Sequence, residues 1–473
     1  MKKSLHTLLL CLLALCMAQT AAAQKKLVTV YSVEGNTELM ELFAGATAFG
    51  TSASGEYVVG YGTDFVQGSF IWQRSTGQFT QLKGCYQNEC YAYGVSDNGI
   101  VVGTFATDND GEVEPGTVPY IIPGYWKDGT WTALELPVEM VRGDVNGNAA
   151  AISPDGRIIV GSIRDTYQQH YYDVSTGNMN AVKEVTKIRP AVWIDGKLQP
   201  WENLPFGETV GQGMWADYMS DDAGVLGGVA EHDSGSRSPT IWVNGEMRRL
   251  YGKEDIDINV DLYFYAGYVY GISREGKLVC GTWCPYGDDG YSPTVGFVYD
   301  VEKDAIEELE GWGQCTTVLD NGTVFGNTGY LGESLIRIDG FNGKLADYVK
   351  EVTGAEAPSN LPCTIISASR DGNVFSGYYV YYSDMGPMMM PSIVVMEDDL
   401  SGINGVRAQQ NIDIKNGVAS APGAEKMSIY DATGRLVAEN AGSELQLGAL
   451  KGVVVVKAYY GKKGSVATQF LLK

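Results

Sequence analysis

Histidine is nearly missing from this chain, with 3 in 473 residues. Only His170 and His232 lie beyond the leader, so imidazole-based catalysis has little to draw on. No C-x-x-C spacing or His-rich tract is present, which removes structural zinc. Basic residues are scarce as well, 34 against 57 acidic, for a formal net charge of −23. A surface of that sign repels phosphate backbones and excludes nucleic acid as a partner. The one long apolar run, Leu8–Ala18, is too short to span a bilayer, so no transmembrane anchor is expected in the mature chain. There is no G-x-S-x-G, no phosphate-cradling Gly-rich loop and no recognisable catalytic carboxylate pair.

Glycine is abundant instead: 60 residues, set singly at turns, which points to many tight hairpins and little helix. The N-terminus, MKKSLHTLLLCLLALCMAQTAAAQ, has Lys2 and Lys3, an apolar stretch and small residues at Ala21 and Ala23. That is a secretory signal over residues 1–23, with cleavage near Ala23–Gln24; lipidation at Cys16 is the alternative, with Leu15 a poor neighbour for it. Its removal takes the net charge from −23 to −25 by the loss of two lysines. Six cysteines remain, and Cys85 and Cys90 flank one loop where a disulfide is open.

Seven times between residues 48 and 379 the chain repeats one phrase: a small or apolar residue, often Ser, an Asp/Asn-Gly turn, a β-rich run, then Gly. Examples are YGVSDNGIVVGTF from Tyr93, AAISPDGRIIVGSI from Ala150 and YGISREGKLVCGTW from Tyr270. Asp-Gly and Asn-Gly between β-rich runs are strong hairpin signals. A second hairpin follows the early copies, as in PAVWIDGKLQPW and PTIWVNGEMRRL, with Trp72, Trp126, Trp193 and Trp242 as packing residues. Four strands per unit at a period near fifty residues predicts propeller blades. The last copy lacks a clear fourth strand, and KLVTVYSVEGNTELMEL near the N-terminus resembles a second hairpin. An N-terminal strand completing the last blade closes the ring and removes both open edges. The predicted fold is all-β: a seven-bladed β-propeller over 24–402, followed by a small Ig-like β-sandwich over 403–473. An eighth, split blade and a solenoid are the alternatives.

ISPDGRIIVG, VSDNGIVVG and ISREGKLVCG resemble the HAF-type extracellular repeats of bacterial secreted proteins. The tail, through MSIYDATGRLV, LGALKGVVVVKAYY and the basic end at Lys473, resembles the C-terminal sorting domain of type IX secretion substrates. It departs from that pattern at Val453–Val454, where an aromatic usually follows the Gly. The resemblance implies export to the outside or outer-membrane surface of a Gram-negative bacterium, with residues 403–473 engaging the secretion machinery; the periplasm is the alternative.

Loop length predicts sidedness. The turns between first and second strands are tight, whereas Ala106–Pro119, Arg164–Lys187, Pro205–Trp215, Tyr251–Tyr265, Pro285–Pro293 and Val380–Pro391 are long and share the opposite face. Trp215, Tyr263, Tyr265, Tyr286, Tyr291, Trp312, Tyr381 and Tyr382 lie in or beside them and are the candidate ligand-binding residues, suited to a glycan or a protein partner. His170 and His232, in adjacent long loops, are the candidate catalytic residues for a polysaccharide-active lyase or hydrolase. Asp108, Asp110 and Glu112 resemble half a calcium loop, although the full ligand spacing is absent. No cofactor is required by this reading, and calcium is the candidate.

Overall fold

In the computed structural model of the chain, the serine of the repeated phrase closes its own turn. Ser96 Oγ donates to Asn98 Oδ1 at 2.5 Å, while the Ile100 amide donates to Ser96 Oγ at 3.0 Å. Ser153, Ser220 and Ser369 do the same with Asp155, Asp222 and Asp371 and with the amides of Ile158, Val225 and Val374. One hydroxyl thereby satisfies two polar groups of the reversal, and Gly99 follows at φ 77°, which an L side chain resists. The structure describes residues 26–398 and 412–472, apart from 63–67, 87–88, 109–117, 174, 201–209, 233–236, 252–265, 285–293, 330–331, 384–385, 416–417, 422–423, 432–435, 448–451 and 460–464.

Among the described residues, each repeat builds one antiparallel four-stranded meander. The first comprises Ala46–Thr51, Tyr57–Gly62, Ser69–Gln73 and Gln78–Leu82; the second Cys90–Val95, Val101–Thr107, Tyr120–Lys127 and Thr130–Ala133. The third is Gly147–Ile152, Ile158–Asp173, Asn178–Ile194 and Lys197–Leu198; the fourth Val210–Met219, Val225–His232, Arg237–Val243 and Glu246–Arg249. The fifth is Ala266–Ile272, Leu278–Cys284, Val295–Asp300 and Ala305–Leu309; the sixth Gln314–Val318, Val324–Asn327, Ser334–Ile338 and Phe341–Lys344. The seventh, Thr364–Ala368, Val374–Ser383 and Gly386–Asp398, takes its fourth strand from the other end of the chain, Lys26–Tyr31. The expected pairing of the N-terminal strand with the last repeat is therefore observed. The seventh and first meanders also meet directly: the Arg370 amide donates to Ala53 O at 2.9 Å, and Thr51 Oγ1 and Ser376 Oγ share a buried bond of 2.9 Å.

The glycine that ends every phrase has one steric cause. It faces the first strand of its meander just before a β-bulge: Ala48 pairs with Gly60 and Gly50 with Val59, so Phe49 is the extra residue. The bulge recurs in every meander, between Ala92/Gly94, Ala149/Ala151, Ala216/Tyr218, Val269/Gly271, Cys315/Thr317 and Ile365/Ser367. A Cβ on Gly228 would sit 1.9 Å from Trp215 O, and one on Gly377 1.8 Å from Thr364 O. The first strand's carbonyl leans into the space a side chain needs, which only Gly leaves open.

Between meanders the core is aromatic. Trp72, Trp193 and Trp242 are fully buried at matching positions of third strands, as expected, and Trp126 is half-buried with Nε1 donating to Lys83 O at 3.1 Å. One segment read as part of a hairpin is helical instead, and a second helix follows the sixth meander. TELMELF forms an α-helix at Thr37–Phe43, because Asn36 caps it by accepting from the Leu39 amide at 3.1 Å. Leu345–Thr353 is the other, amphipathic and buried through Leu345, Tyr348 and Val349, with Gly354 ending it at φ 73°. The segment before the first repeat thus supplies one strand and a helix rather than two strands.

The chain divides into two units, Met1–Glu397 and Asp398–Lys473. In the second, a three-stranded sheet (Asp413–Lys415, Val418–Ser420, Glu444–Gln446) and a four-stranded one (Leu436–Ala441, Lys426–Asp431, Gly452–Tyr459, Ser465–Leu472) share a small core. Ala419 and Leu445 enter it from one sheet, and Met427, Ile429, Val454 and Val456 from the other.

Candidate functional site

The seven bulged residues are the ones that meet. Phe49, Tyr93, Ala150, Asp217, Tyr270, Thr316 and Ile366, one from each meander, all line a single cavity of about 330 Å³. A bulge turns its extra side chain out of the alternation of the strand, here toward the axis on which the first strands converge. Most of these side chains are half-buried between buried neighbours, as groups facing an internal space are. The wall is aromatic on one side: Phe49 lies 5.8 Å from Tyr93 edge to face, and Tyr61 lies 5.2 Å from Phe49.

Asp217 is the acidic member of this set. Its carboxylate accepts from Asn148 Nδ2 at 3.0 Å, and Asn148 is its one hydrogen-bonded side-chain partner among the described residues. Burial holds its pKa above the usual carboxylate range, with the Asn148 bond pulling the other way. Burial likewise raises the phenols of Tyr93 and Tyr218, and takes Tyr270 and Tyr61 to about 12, so these rings stay neutral. Where the first strands end, Arg274 lines the cavity; its guanidinium donates to Thr51 O at 3.2 Å and pairs with Asp221 at 3.5 Å, and Arg370 bonds the same carboxylate. These charges tie the fifth meander to the fourth, the seventh and the first across that end of the ring.

A raised folded-state pKa sets the sign of a pH effect. Folding keeps the proton on Asp217 more readily than the unfolded chain does, so its penalty builds as pH rises from the unfolded aspartate value through the folded one. Asp217→Asn is expected to stabilise the protein by ~1–3 kcal/mol at neutral pH and to leave stability nearly unchanged at about pH 3.5. Urea denaturation at both pH values measures the difference.

The residues singled out from the sequence are dispersed by comparison. Trp312 is buried, 4% exposed, in the core with Val318 and Leu335. Trp215 lies inside a first strand rather than before it, half-buried under the Arg237 guanidinium at 5.8 Å; Arg237 also donates to Tyr268 Oη at 2.7 Å. Tyr381 is half-buried against the core that holds Phe43, Trp72 and Met390, whereas Tyr382 is 79% exposed. Tyr263, Tyr265, Tyr286, Tyr291, Asp110 and Glu112 lie outside the described residues. Asp108 is engaged by Arg142 at 2.7 Å, with Arg142 over the Tyr120 ring. His170 and His232 stand on strands rather than loops, paired with Val182 and Val210; their side chains lie outside the described residues. No group of three or more His, Cys, Asp and Glu among the described residues is placed to hold a metal. The Cys85 and Cys90 thiols are unbridged and hydrogen-bonded to each other, which pushes Cys85 up and Cys90 down.

Two of the long loops are β-ribbons. Residues 164–173 continue the second strand of the third meander and pair with 178–188 beyond the start of the first strand, at Gly147↔Ile163. Residues 379–383 and 386–390 do the same in the seventh, beyond Thr364↔Tyr378. Both therefore leave at the end where first strands begin, opposite the Ser-x-Asp turns. Buried Arg189 and half-buried Asp165, 2.6 Å apart, fasten the base of the longer one.

No protein-family model matches the chain, and no curated protein matches it in sequence. Solved structures similar to it include an oligogalacturonate lyase from Vibrio parahaemolyticus, at 11% identity and a TM-score of 0.39 over 78% of this chain and 97% of that one. A prolyl endopeptidase follows at 14% and 0.40, over 88% and 55%. A gluconolactonase from Xanthomonas campestris stands at 12% and 0.33, over 80% and 96%. At these identities no activity carries over. The class rests on the chain's own geometry: consecutive four-stranded meanders, first strands converging on one axis and a terminal strand closing the last sheet define a β-propeller.

Proposed function

We propose that the chain is an exported binding module: a seven-bladed propeller, a leader that is removed, and an Ig-like C-terminal sandwich that acts as a sorting domain of the type IX kind. The ligand, a glycan or a protein, engages the face bearing the two ribbons. The observation that carries this is the pair of ribbons leaving the same end of the ring, one of them presenting Tyr382 to solvent. An extended hairpin offers aromatic and polar side chains on both faces, and an exposed ring is suited to stack on a sugar or fill a partner's pocket.

The test replaces residues 167–181 by an Asn-Gly turn and combines this with Tyr382→Ala. Binding on glycan arrays is expected to fall roughly tenfold or more while thermal stability holds. Unchanged binding removes the ribbon face from the account. For the tail, deletion of residues 404–473 is expected to leave the propeller folded and to abolish surface display in the host. Undiminished display contradicts the sorting role.

A further inference from the structure

We infer that the central cavity is a second binding site, independent of the ribbon face, for a small organic ammonium ion whose cationic head is held by Asp217 and packed against the rings of Phe49, Tyr93 and Tyr270. The argument begins with the placement of a charge. A carboxylate enclosed in an aromatic cavity is costly unless paired, and Asn148 offers it an amide rather than a cation. The other bulge positions show what the fold accepts there: Ala150, Thr316 and Ile366 occupy the same site in sister meanders. The bulge itself therefore does not require an acid at position 217. What an acid adds is a partner for a positive ligand.

The walls fit the same ligand. Aromatic faces attract a cation through their quadrupole, and a desolvated alkylammonium gains most from this because its alkyl groups also bury apolar surface. Three of the seven bulge residues are aromatic, and Tyr61 backs Phe49 and Tyr93 at 5.2 and 5.4 Å. The volume, about 330 Å³, lies at the small end of ligand pockets and suits a compact molecule. Arg274 also lines the cavity, but its charge is drawn to Asp221, with Arg370 on the same carboxylate and Asp97 within electrostatic reach. The phenols facing Asp217, on Tyr93 and Tyr218, remain protonated over the accessible pH range. Asp217 is then the group that titrates in the cavity. An ammonium ion favours its ionised form, so affinity rises with pH as the carboxyl loses its proton.

Calorimetry on the full mature chain decides the matter, with tetramethylammonium and n-butylammonium as probes, and tert-butanol, glucose and calcium beside them. The ammonium ions are expected to bind at millimolar affinity or better, the neutral compounds roughly tenfold more weakly. Asp217→Asn, which keeps shape and the Asn148 contact, is expected to weaken ammonium binding roughly tenfold or more, and Tyr93→Leu by roughly threefold or more. Affinity is expected to rise as pH is raised above the ordinary aspartate range in the native protein and to stay flat in Asp217→Asn. Equal binding of tert-butanol, preference for glucose or calcium, unchanged affinity in Asp217→Asn, or no ammonium binding up to about 10 mM would each overturn the assignment. The ribbon variant serves as a control that must bind ammonium normally; loss there would also overturn it.

Discussion

A chain lacking Lys26–Tyr31 is expected to lose at least ~5 kcal/mol of stability and, in practice, to be recovered unfolded or aggregated. That strand is the fourth of the seventh meander, and without it the strand Gly386–Asp398 becomes an open edge. Val28 and Val30 pack into the core formed by Phe325, Ile336, Val349 and Phe375, while Tyr31 lies 5.0 Å from the Trp72 ring in the first meander. The lost side chains would contribute ~1–3 kcal/mol each by burial, and the ladder bonds add to that. The milder Tyr31→Ala, which keeps the strand but cuts the link to Trp72, is expected to cost ~1–3 kcal/mol. Urea denaturation followed by tryptophan fluorescence measures both. A deletion that folded with native stability would mean the ring does not depend on its chain ends meeting.

Gly228→Val carries the second large effect, with an expected loss of ~3 kcal/mol or more. The new Cβ would fall 1.9 Å from Trp215 O and 2.8 Å from the carbonyl carbon, both backbone atoms of the paired strand, so relief requires moving the strand itself. The bulge at Asp217 lies two residues along from Trp215, and a shifted strand would displace that carboxylate from Asn148. Gly196→Ala is the contrast. It has open space around it and a φ of 78°, so only the cost of a left-handed L residue applies, ~1–2 kcal/mol. Equal losses at the two positions would show that close backbone approach is not what the repeated glycine serves.

Much of this fold is written in the sequence because it repeats. Ser, Asp-Gly and the closing Gly recur at fixed spacing since each answers a local need: a hydroxyl for two turn groups, a left-handed residue, a missing Cβ. The N-terminal strand was legible from the seventh repeat's missing partner. The two helices were not, because TELMELF and LADYV are short apolar-polar runs that suit a strand equally well until Asn36 and Gly354 cap them. The ribbons read as loops in the sequence because a two-stranded hairpin extending beyond its sheet needs no core periodicity.

The central site was hidden for a different reason. Its residues occupy one column of the repeat, three places before the Ser (Leu319 in the sixth repeat), yet they read F, Y, A, D, Y, T and I. Only the bulge makes them equivalent, and a bulge is a matter of pairing register rather than residue type. One signal was available: Asp217 is the lone charge in a column otherwise apolar, aromatic or hydroxylated. The long loops drew attention by length, whereas the cavity is built from the parts of the repeats that align.

Closure of the ring is the claim on which the cavity and the sidedness of the ribbons both depend. Amide hydrogen exchange over Lys26–Tyr31 in the intact mature protein tests it most directly. These amides are expected to exchange as slowly as those of Ile393–Met396 in the neighbouring strand, opening only with global unfolding. Exchange at the rate of an unstructured chain end, with the rest of the seventh meander still protected, would contradict it.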